Sequence, residues 1–140
     1  MPGLFVDTSG WAAILDKSQP QHALVVTFYR LARLQNRLLV TTNYILTELV
    51  ALFDSPLHIP RDTVIEYVEG LRVAPSIEVL HIDRTLDAQA WQLLKSRPDK
   101  RWSLVDCASF IVMQQRRLTE ALTTDRHFEQ AGFIRLIKPR

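Results

Sequence analysis

Short apolar runs alternate with amphipathic segments along the whole chain. The apolar runs, which are typical of buried strands, lie at residues 3–7, 38–40, 77–82, 121–123 and 133–137. Between them the apolar residues recur at helical spacing, which predicts helices at residues 9–16, 20–35, 44–53, 61–71, 85–95 and 103–113, and a short helical turn at Phe128. Strands that alternate with helices indicate βαβ crossovers. We therefore expect an α/β fold whose parallel sheet is covered by helices on both faces.

Composition and cysteine usage narrow the class of protein. The chain has 140 residues, of which 47% are hydrophobic and 23% charged, as expected for one ordinary globular domain. Its single cysteine, Cys107, excludes an intramolecular disulfide and fits a reducing compartment. No signal peptide and no apolar stretch of about 20 residues is found, so we expect a cytoplasmic protein that does not span a membrane. A net charge of +2 permits a nucleic-acid partner without requiring one.

Four acids lie near the predicted ends of strands. Asp7 directly follows the first strand, and Asp125 follows a later one. Asp106 lies in the first turn of a very apolar helix, and Glu48 lies about a turn and a half into the helix after the second strand. Ligands of open parallel sheets bind at the carboxyl ends of the strands. The predicted fold therefore allows the four carboxylates to meet at one edge.

Each acid also has an ordinary structural explanation. Asp7 and Asp125 could cap the helical segments that follow them, and Ser103 with Asp106 matches a capping box. Glu48 could reach water at the rim of its helix. A set of converging carboxylates, however, needs protonation or a cation to offset its mutual repulsion. Oxygen ligands without a histidine or cysteine pattern suit Mg²⁺ or Mn²⁺, and a metal-bound water is a nucleophile for phosphate chemistry.

Four strings of the sequence carry a resemblance to a known family. Each contains one of the acids, and they read FVDTSGW, TNYILTELVAL, SLVDCASFIVM and LTTDRHFEQAGF. In their order and spacing, over nearly the whole chain, they resemble the PIN-domain ribonucleases and, within them, the VapC-type toxins of bacterial toxin–antitoxin pairs. The resemblance implies a single PIN-like domain over residues 1–140 with a three-layer α/β/α fold. It also implies an endoribonuclease that depends on Mg²⁺ or Mn²⁺.

The resemblance assigns roles to individual residues and implies partners. The four acids of the family motif, as catalytic residues and metal ligands, match Asp7, Glu48, Asp106 and Asp125. Small hydroxyl residues that orient ligands in the family match Thr8, Ser9 and Ser103. A further acid that some members carry has no counterpart here, which leaves the number of metal ions open. The implied partners are an RNA substrate, an antitoxin protein whose segment occupies an apolar groove near the site, and a second copy of the chain in a homodimer.

Two basic clusters are candidates for contacting RNA phosphates. The cluster that precedes the helix of Asp106 comprises Lys95, Arg97, Lys100 and Arg101. The other is a stripe on the second helix formed by Arg30, Arg33 and Arg37. We favour the first cluster because it is close in sequence to Asp106, although either also fits an ordinary solvated surface.

Aromatic residues and one histidine complete the set of candidates. We expect Trp11 and Trp91 to lie in the core and Trp102 to pack against the start of the apolar helix, although Trp102 could instead stack on a base. His127, two residues after Asp125, fits either a structural role or a hydrogen bond to a metal ligand.

Other classes of acidic pocket fit the sequence less well. A response-receiver domain would carry paired acids after the first strand and a lysine after a late strand, but Asp7 is single and position 125 is an acid. A haloacid-dehalogenase phosphatase would carry D-x-D, but Ser9 stands at the second position. A PIN domain that has lost activity and serves as an RNA-binding or scaffolding protein remains the main alternative. Nothing in the sequence selects among tRNA, rRNA and mRNA as the target.

Overall fold

A computed structural model describes residues 2–138, so the first residue and the last two of the predicted 1–140 domain lie outside it. The strands are β1 Leu4–Val6, β2 Leu39–Thr42, β3 Ile77–Leu80, β4 Glu120–Leu122 and β5 Ile134–Arg135. The helices are α1 Thr8–Leu15, α2 His22–Leu34, α3 Asn43–Asp54, α4 Arg61–Val73, α5 Arg84–Ser96, α6 Leu104–Gln115 and α7 His127–Gln130. Each predicted strand and helix is present, with its ends shifted by a few residues at most. In the part of the chain that the structure describes, no helix is long and apolar enough to cross a membrane.

The strands form one parallel sheet in the order β3-β2-β1-β4-β5. β1 is central: Phe5 pairs with Val40 of β2 on one side and with Ala121 of β4 on the other. All three residues of β1 are buried, although successive side chains of a strand point to opposite faces. Helices therefore cover both faces of the sheet, which confirms the predicted α/β fold.

Aromatic packing holds the last part of the chain against the sheet. Phe128 of α7 is fully buried and lies edge-on to Phe110 of α6, with the ring centroids 5.0 Å apart. Trp102 also packs edge-on to Phe110, with the ring centroids 5.1 Å apart, so it contacts the apolar helix in its middle. Because Phe128 closely follows Asp125 in the chain, this cluster also fixes the position of that acid.

Some of the predicted core positions are wrong. Trp11 is fully buried, but Trp91 is 47% exposed. Its neighbour Ala90 is the buried residue of α5, and adjacent residues of a helix point about 100° apart. On α2 the buried stripe is likewise narrower than its periodicity suggests, because Leu24 and Leu31 are exposed.

The carboxyl ends of β1 and β4 lie side by side. The backbone N–H of Asp7 donates to the carbonyl oxygen of Leu122 at 3.2 Å. The first turn of α1 then passes very close to β4, because a Cβ atom at Gly10 would lie 2.5 Å from the same carbonyl oxygen. Only glycine fits there, and this close approach brings the start of α1 next to the residues that follow β4.

Candidate active site

The four predicted acids converge at the carboxyl edge of the sheet. Asp7 follows β1, Asp125 follows β4, and Glu48 and Asp106 reach the same place from α3 and α6. Contacts show that the acids are close together: Thr8, the residue after Asp7, donates to Glu48, Thr123 contacts both Asp7 and Asp125, and His127 contacts both Asp106 and Asp125. Burial is the main cause that raises the pKa of Asp7 and of Glu48, and the charges of the neighbouring acids add to it.

Asp7 is buried and does not cap its helix. It stands at the N-cap position of α1, but its side chain makes no capping hydrogen bond. Its Oδ2 instead accepts hydrogen bonds from Thr123 Oγ1 at 2.8 Å and from Ser9 Oγ at 3.5 Å. Burial raises the pKa of Asp7 to about 7, against the opposing effect of the hydrogen bonds. A proton or a cation is therefore needed here to offset the charge.

Glu48 is half-buried on the inner side of α3. Thr42 begins this helix by accepting the N–H of Ile45, which orients α3 so that Glu48 faces the start of α1. There Thr8 Oγ1 donates to Glu48 Oε1 at 2.5 Å. Burial raises the pKa of Glu48, and the hydrogen bond from Thr8 opposes that rise.

Asp106 combines a structural role with its place in the cluster. The capping box predicted from the sequence is present: Asp106 N–H donates to Ser103 Oγ at 3.0 Å, and Ser103 N–H donates to Asp106 Oδ2 at 3.1 Å. His127 Nδ1 lies 2.9 Å from the same Oδ2. Burial raises the pKa of Asp106, whereas the hydrogen bonds from Ser103 and His127 lower it.

Asp125 is held by the turn that leads into α7. Its Oδ1 accepts the backbone N–H of His127, the first residue of α7, at 2.9 Å, but the N-cap residue of that helix is Arg126 and not Asp125 as predicted. Its own N–H donates to Thr123 Oγ1 at 3.0 Å. One hydroxyl group, that of Thr123, thus connects Asp125 to Asp7.

Thr123 is the residue of this site that sequence reasoning missed. A threonine at the end of a strand is an ordinary β residue, so its side chain gives no signal by itself. The one feature of the sequence that indicates its role is its place at a strand end, directly before the polar residues Thr124 and Asp125. The predicted hydroxyl residues Thr8, Ser9 and Ser103 each contact an acid.

The carboxylates share a hydrogen-bonding pattern that suits a cation. Glu48, Asp106 and Asp125 each accept hydrogen bonds on a single oxygen. Within residues 2–138 no donor reaches their second oxygens, which leaves Glu48 Oε2, Asp106 Oδ1 and Asp125 Oδ2 available. Asp106, Asp125 and His127 offer ligand atoms within 4.8 Å of one another, a spacing consistent with a metal site. The donor set and the burial of charge thus fit a bound divalent cation.

The predicted RNA-binding cluster is only partly available. Arg97 forms two hydrogen bonds with Asp99, both 3.0 Å long, and its guanidinium lies 5.0 Å from the ring centroid of Trp102. Lys95 and Arg101 are exposed, and Lys100 is half-exposed. Among the described residues these three lysine and arginine side chains form no salt bridge. Trp102 Nε1 donates to Gln130 of α7 at 3.1 Å, which brings the basic loop next to the acidic site.

The predicted arginine stripe is only partly on α2, because this helix ends at Leu34 and Arg37 lies beyond it. Arg37, whose side chain is largely buried, forms a salt bridge with Glu120 at 2.8 Å and also donates to the carbonyl oxygens of Pro2 and Gly3. These partners lie at the amino ends of β1 and β4, opposite the acids. Arg37 therefore joins strand ends and is not positioned to contact a substrate at the carboxyl edge.

The chain is similar to known proteins over nearly its whole length. The PIN domain model matches residues 4–134. Proteins from two strains of Mycobacterium tuberculosis, described as 23S rRNA-specific endonuclease VapC20, are 30% identical over 131 residues, which is 94% of this chain and 95% of theirs. The crystal structure of VapC20 from that organism, described as a sarcin-ricin loop cleaving toxin, aligns with a TM-score of 0.83 and 25% identity over 98% of this chain and 100% of that one.

A more distant structure shares the fold alone. FitAcB from Neisseria gonorrhoeae aligns with a TM-score of 0.63 and 21% identity, over 96% of this chain and 95% of that one. The family model covers nearly the whole chain, and the identity to VapC20 extends over the same length. The chain therefore belongs to the PIN-domain family, among its VapC-type members.

Proposed function

We propose that this chain is a metal-dependent endoribonuclease that hydrolyses phosphodiester bonds in RNA. The observation that carries the proposal is the cluster of four carboxylates at the carboxyl edge, with Asp7 buried deeply enough to bring its pKa to about 7. Such a cluster is unfavourable unless a cation offsets its charge. The related VapC20 proteins are described as endonucleases, which supports the same chemistry here.

The residues proposed to hold the ion are the four acids, Asp7, Glu48, Asp106 and Asp125. Mg²⁺ or Mn²⁺ is the preferred candidate because the available ligand atoms are carboxylate oxygens. When bound in such a site, the ion supplies an activated water and stabilises negative charge on the phosphate. Thr8, Ser103 and Thr123 hold one oxygen of their respective carboxylates, which limits the rotation of each acid.

The proposed path of the RNA crosses the loop before α6. Lys100 and Arg101 are the favoured contacts, with Lys95 as a further candidate, while Arg97 is already paired with Asp99. Ribosomal RNA is the first target to test, because the VapC20 relatives are described as specific for 23S rRNA.

An antitoxin and a homodimer belong to the same proposal. VapC20 is described as a toxin, and a nuclease that cuts RNA of its own cytoplasm has to be held inactive. A cavity of about 130 Å³ beside Ser9 and Thr124, walled by Leu52 and Leu57, offers an apolar place for an antitoxin segment near the acids. The homodimer is carried over from the family resemblance, and the strongly exposed Leu34 at the end of α2 and Val73 at the end of α4 are residues at which to test such an interface.

The direct test is cleavage of ribosomal and total RNA by the purified protein with Mg²⁺, with Mn²⁺ and with EDTA. We expect discrete, metal-dependent fragments from the wild type. Asp7→Asn and Asp106→Asn should each lower the rate more than about 100-fold, because even residues that only orient metal ligands contribute about 10–100-fold. Asp54→Asn removes an exposed acid from α3 and serves as the matched control.

The alternative, an inactive PIN module, makes a different prediction. The folded wild type would then leave every RNA intact under all metal conditions while still binding RNA. Cleavage by Asp7→Asn at the wild-type rate would contradict the assignment of the site itself.

A further inference from the structure

His127 touches two of the acids through one ring nitrogen. Its Nδ1 lies 2.9 Å from Asp106 Oδ2 and 3.4 Å from Asp125 Oδ1. We propose that His127 is a positioning residue that joins Asp106 to Asp125 and does not itself bind the metal ion. This inference rests on the proposed metal-dependent function and assigns one residue of that site a specific task.

The direction of the hydrogen bond follows from the chemistry of the partners. An ionised carboxylate oxygen only accepts hydrogen bonds, so Nδ1 of His127 carries a hydrogen and donates it. A ring nitrogen that carries a hydrogen has no lone pair for a metal ion. Of the two ring nitrogens, Nδ1 is therefore excluded as a ligand although it is the one that lies between the acids.

The oxygens that His127 contacts are those already bound by the protein. Asp106 Oδ2 also accepts the N–H of Ser103 at 3.1 Å, and Asp125 Oδ1 also accepts the backbone N–H of His127 at 2.9 Å. His127 therefore meets both carboxylates on the side that faces the protein. Asp106 Oδ1 and Asp125 Oδ2 stay available for the ion.

The connection joins two acids that come from different parts of the chain. Asp106 belongs to α6, whereas Asp125 lies in the turn between β4 and α7. The ring of His127 is itself well placed to hold them, because the next residue, Phe128, is fully buried against Phe110. Loss of the ring would let the two like-charged carboxylates turn away from each other, and the affinity for the ion would fall.

Side-chain amides distinguish the two ring nitrogens. An asparagine amide can donate from about the position of Nδ1, whereas a glutamine amide reaches about the position of Nε2. We would measure Mn²⁺ affinity by electron paramagnetic resonance for the wild type, His127→Asn, His127→Gln and His127→Ala. His81→Asn, at an exposed histidine after β3, is the matched control.

We expect His127→Asn to bind Mn²⁺ within about threefold of the wild type, and His127→Gln and His127→Ala to bind about 10–100-fold more weakly. Electron spin echo spectra of Mn²⁺ on the wild type should lack the strong nitrogen coupling of a directly bound imidazole. Such a coupling, or wild-type affinity in His127→Ala, would overturn the positioning role while the proposed metal site stands. A wild type that binds no Mn²⁺ would instead refute the proposed function, and this inference with it.

Discussion

Asp7 is a carboxyl group whose charge destabilises the metal-free fold. Its pKa is raised from 3.8 to about 7, chiefly by burial, so the folded protein keeps a proton there that the unfolded chain loses at lower pH. Between those two pH values the contribution of Asp7 to the unfolding free energy falls as the pH rises. The full difference between these two pKa values corresponds to a loss of unfolding free energy on the order of 4 kcal/mol at pH values above about 7.

Replacement of Asp7 by asparagine should therefore stabilise the metal-free protein at pH 8. The asparagine side chain has no charge to desolvate, and Thr123 can donate to its amide oxygen as it does to the carboxylate. We expect the stability advantage of Asp7→Asn to be small at pH 4, to grow up to about pH 7 and then to level off. Urea unfolding in EDTA at several pH values measures it, with Asp54→Asn as the control. An advantage independent of pH would contradict this account of the buried charge.

Single residues were predictable where a sequence pattern carries their chemistry. Asp7, Asp106 and Asp125 could be found because each follows a strand or opens a helix, and Ser103 because a capping box has a fixed spacing. Glu48 lies inside α3, and it was the resemblance to the family that singled it out. Thr123 could not be found, since its hydrogen bonds to Asp7 and to the N–H of Asp125 depend on where β4 ends beside β1. A hydrogen bond from His127 to a metal ligand was one of two expectations, but the partner could not be named because Asp106 is distant in sequence.

At the scale of elements, hydrophobic periodicity predicted which segments are helices and strands but not which faces are covered. On α2 the apolar residues Leu24 and Leu31 recur at helical spacing, yet both are exposed in the structure. The spacing of apolar residues shows only that a helix is amphipathic. The width of its buried face depends on how the neighbouring helices pack against it. The strand order β3-β2-β1-β4-β5 was likewise beyond the sequence, although alternation of strands and helices did predict a parallel sheet.

The basic loop before α6 is the element on which RNA affinity should depend. Lys100 and Arg101 have no salt-bridge partner in the described part of the chain, and the loop is tied to α7 through Trp102. Lys100→Gln with Arg101→Gln should weaken RNA binding and lower the slope of log affinity against log salt by about 1 to 2, because two phosphate contacts are lost.

The matched control removes the same charge from another element. Arg30→Gln with Arg33→Gln changes two arginines of α2, away from the acidic edge, and should leave both affinity and salt slope nearly unchanged. The measurement is fluorescence anisotropy of a labelled RNA at several salt concentrations, without metal so that no cleavage occurs. An equal loss of RNA affinity in both double variants would contradict the proposal that this loop contacts the RNA.

For the molecule as a whole, the same acids should make stability depend on metal ions. Mg²⁺ or Mn²⁺ that binds only the folded state raises the unfolding free energy by about 2.7 kcal/mol at a concentration of about 100 times the dissociation constant. We expect a corresponding rise in melting temperature for the wild type. A variant with Asp7, Asp106 and Asp125 changed to asparagine and Glu48 changed to glutamine should show no such rise.

The quadruple variant also separates a specific site from a general effect of salt. Without metal at pH 8 the quadruple variant should melt at a higher temperature than the wild type. It no longer has to bury the charge of Asp7 or to hold four mutually repelling carboxylates together. With saturating metal the difference should shrink or reverse, because only the wild type gains binding energy. Differential scanning calorimetry of both proteins, with EDTA and with each ion, measures these melting temperatures. We expect the variant to melt higher in EDTA and this difference to shrink or reverse with metal. Equal shifts of the melting temperature in the two proteins would show that the ions act nonspecifically on the protein surface. The acidic edge would then not be the metal site.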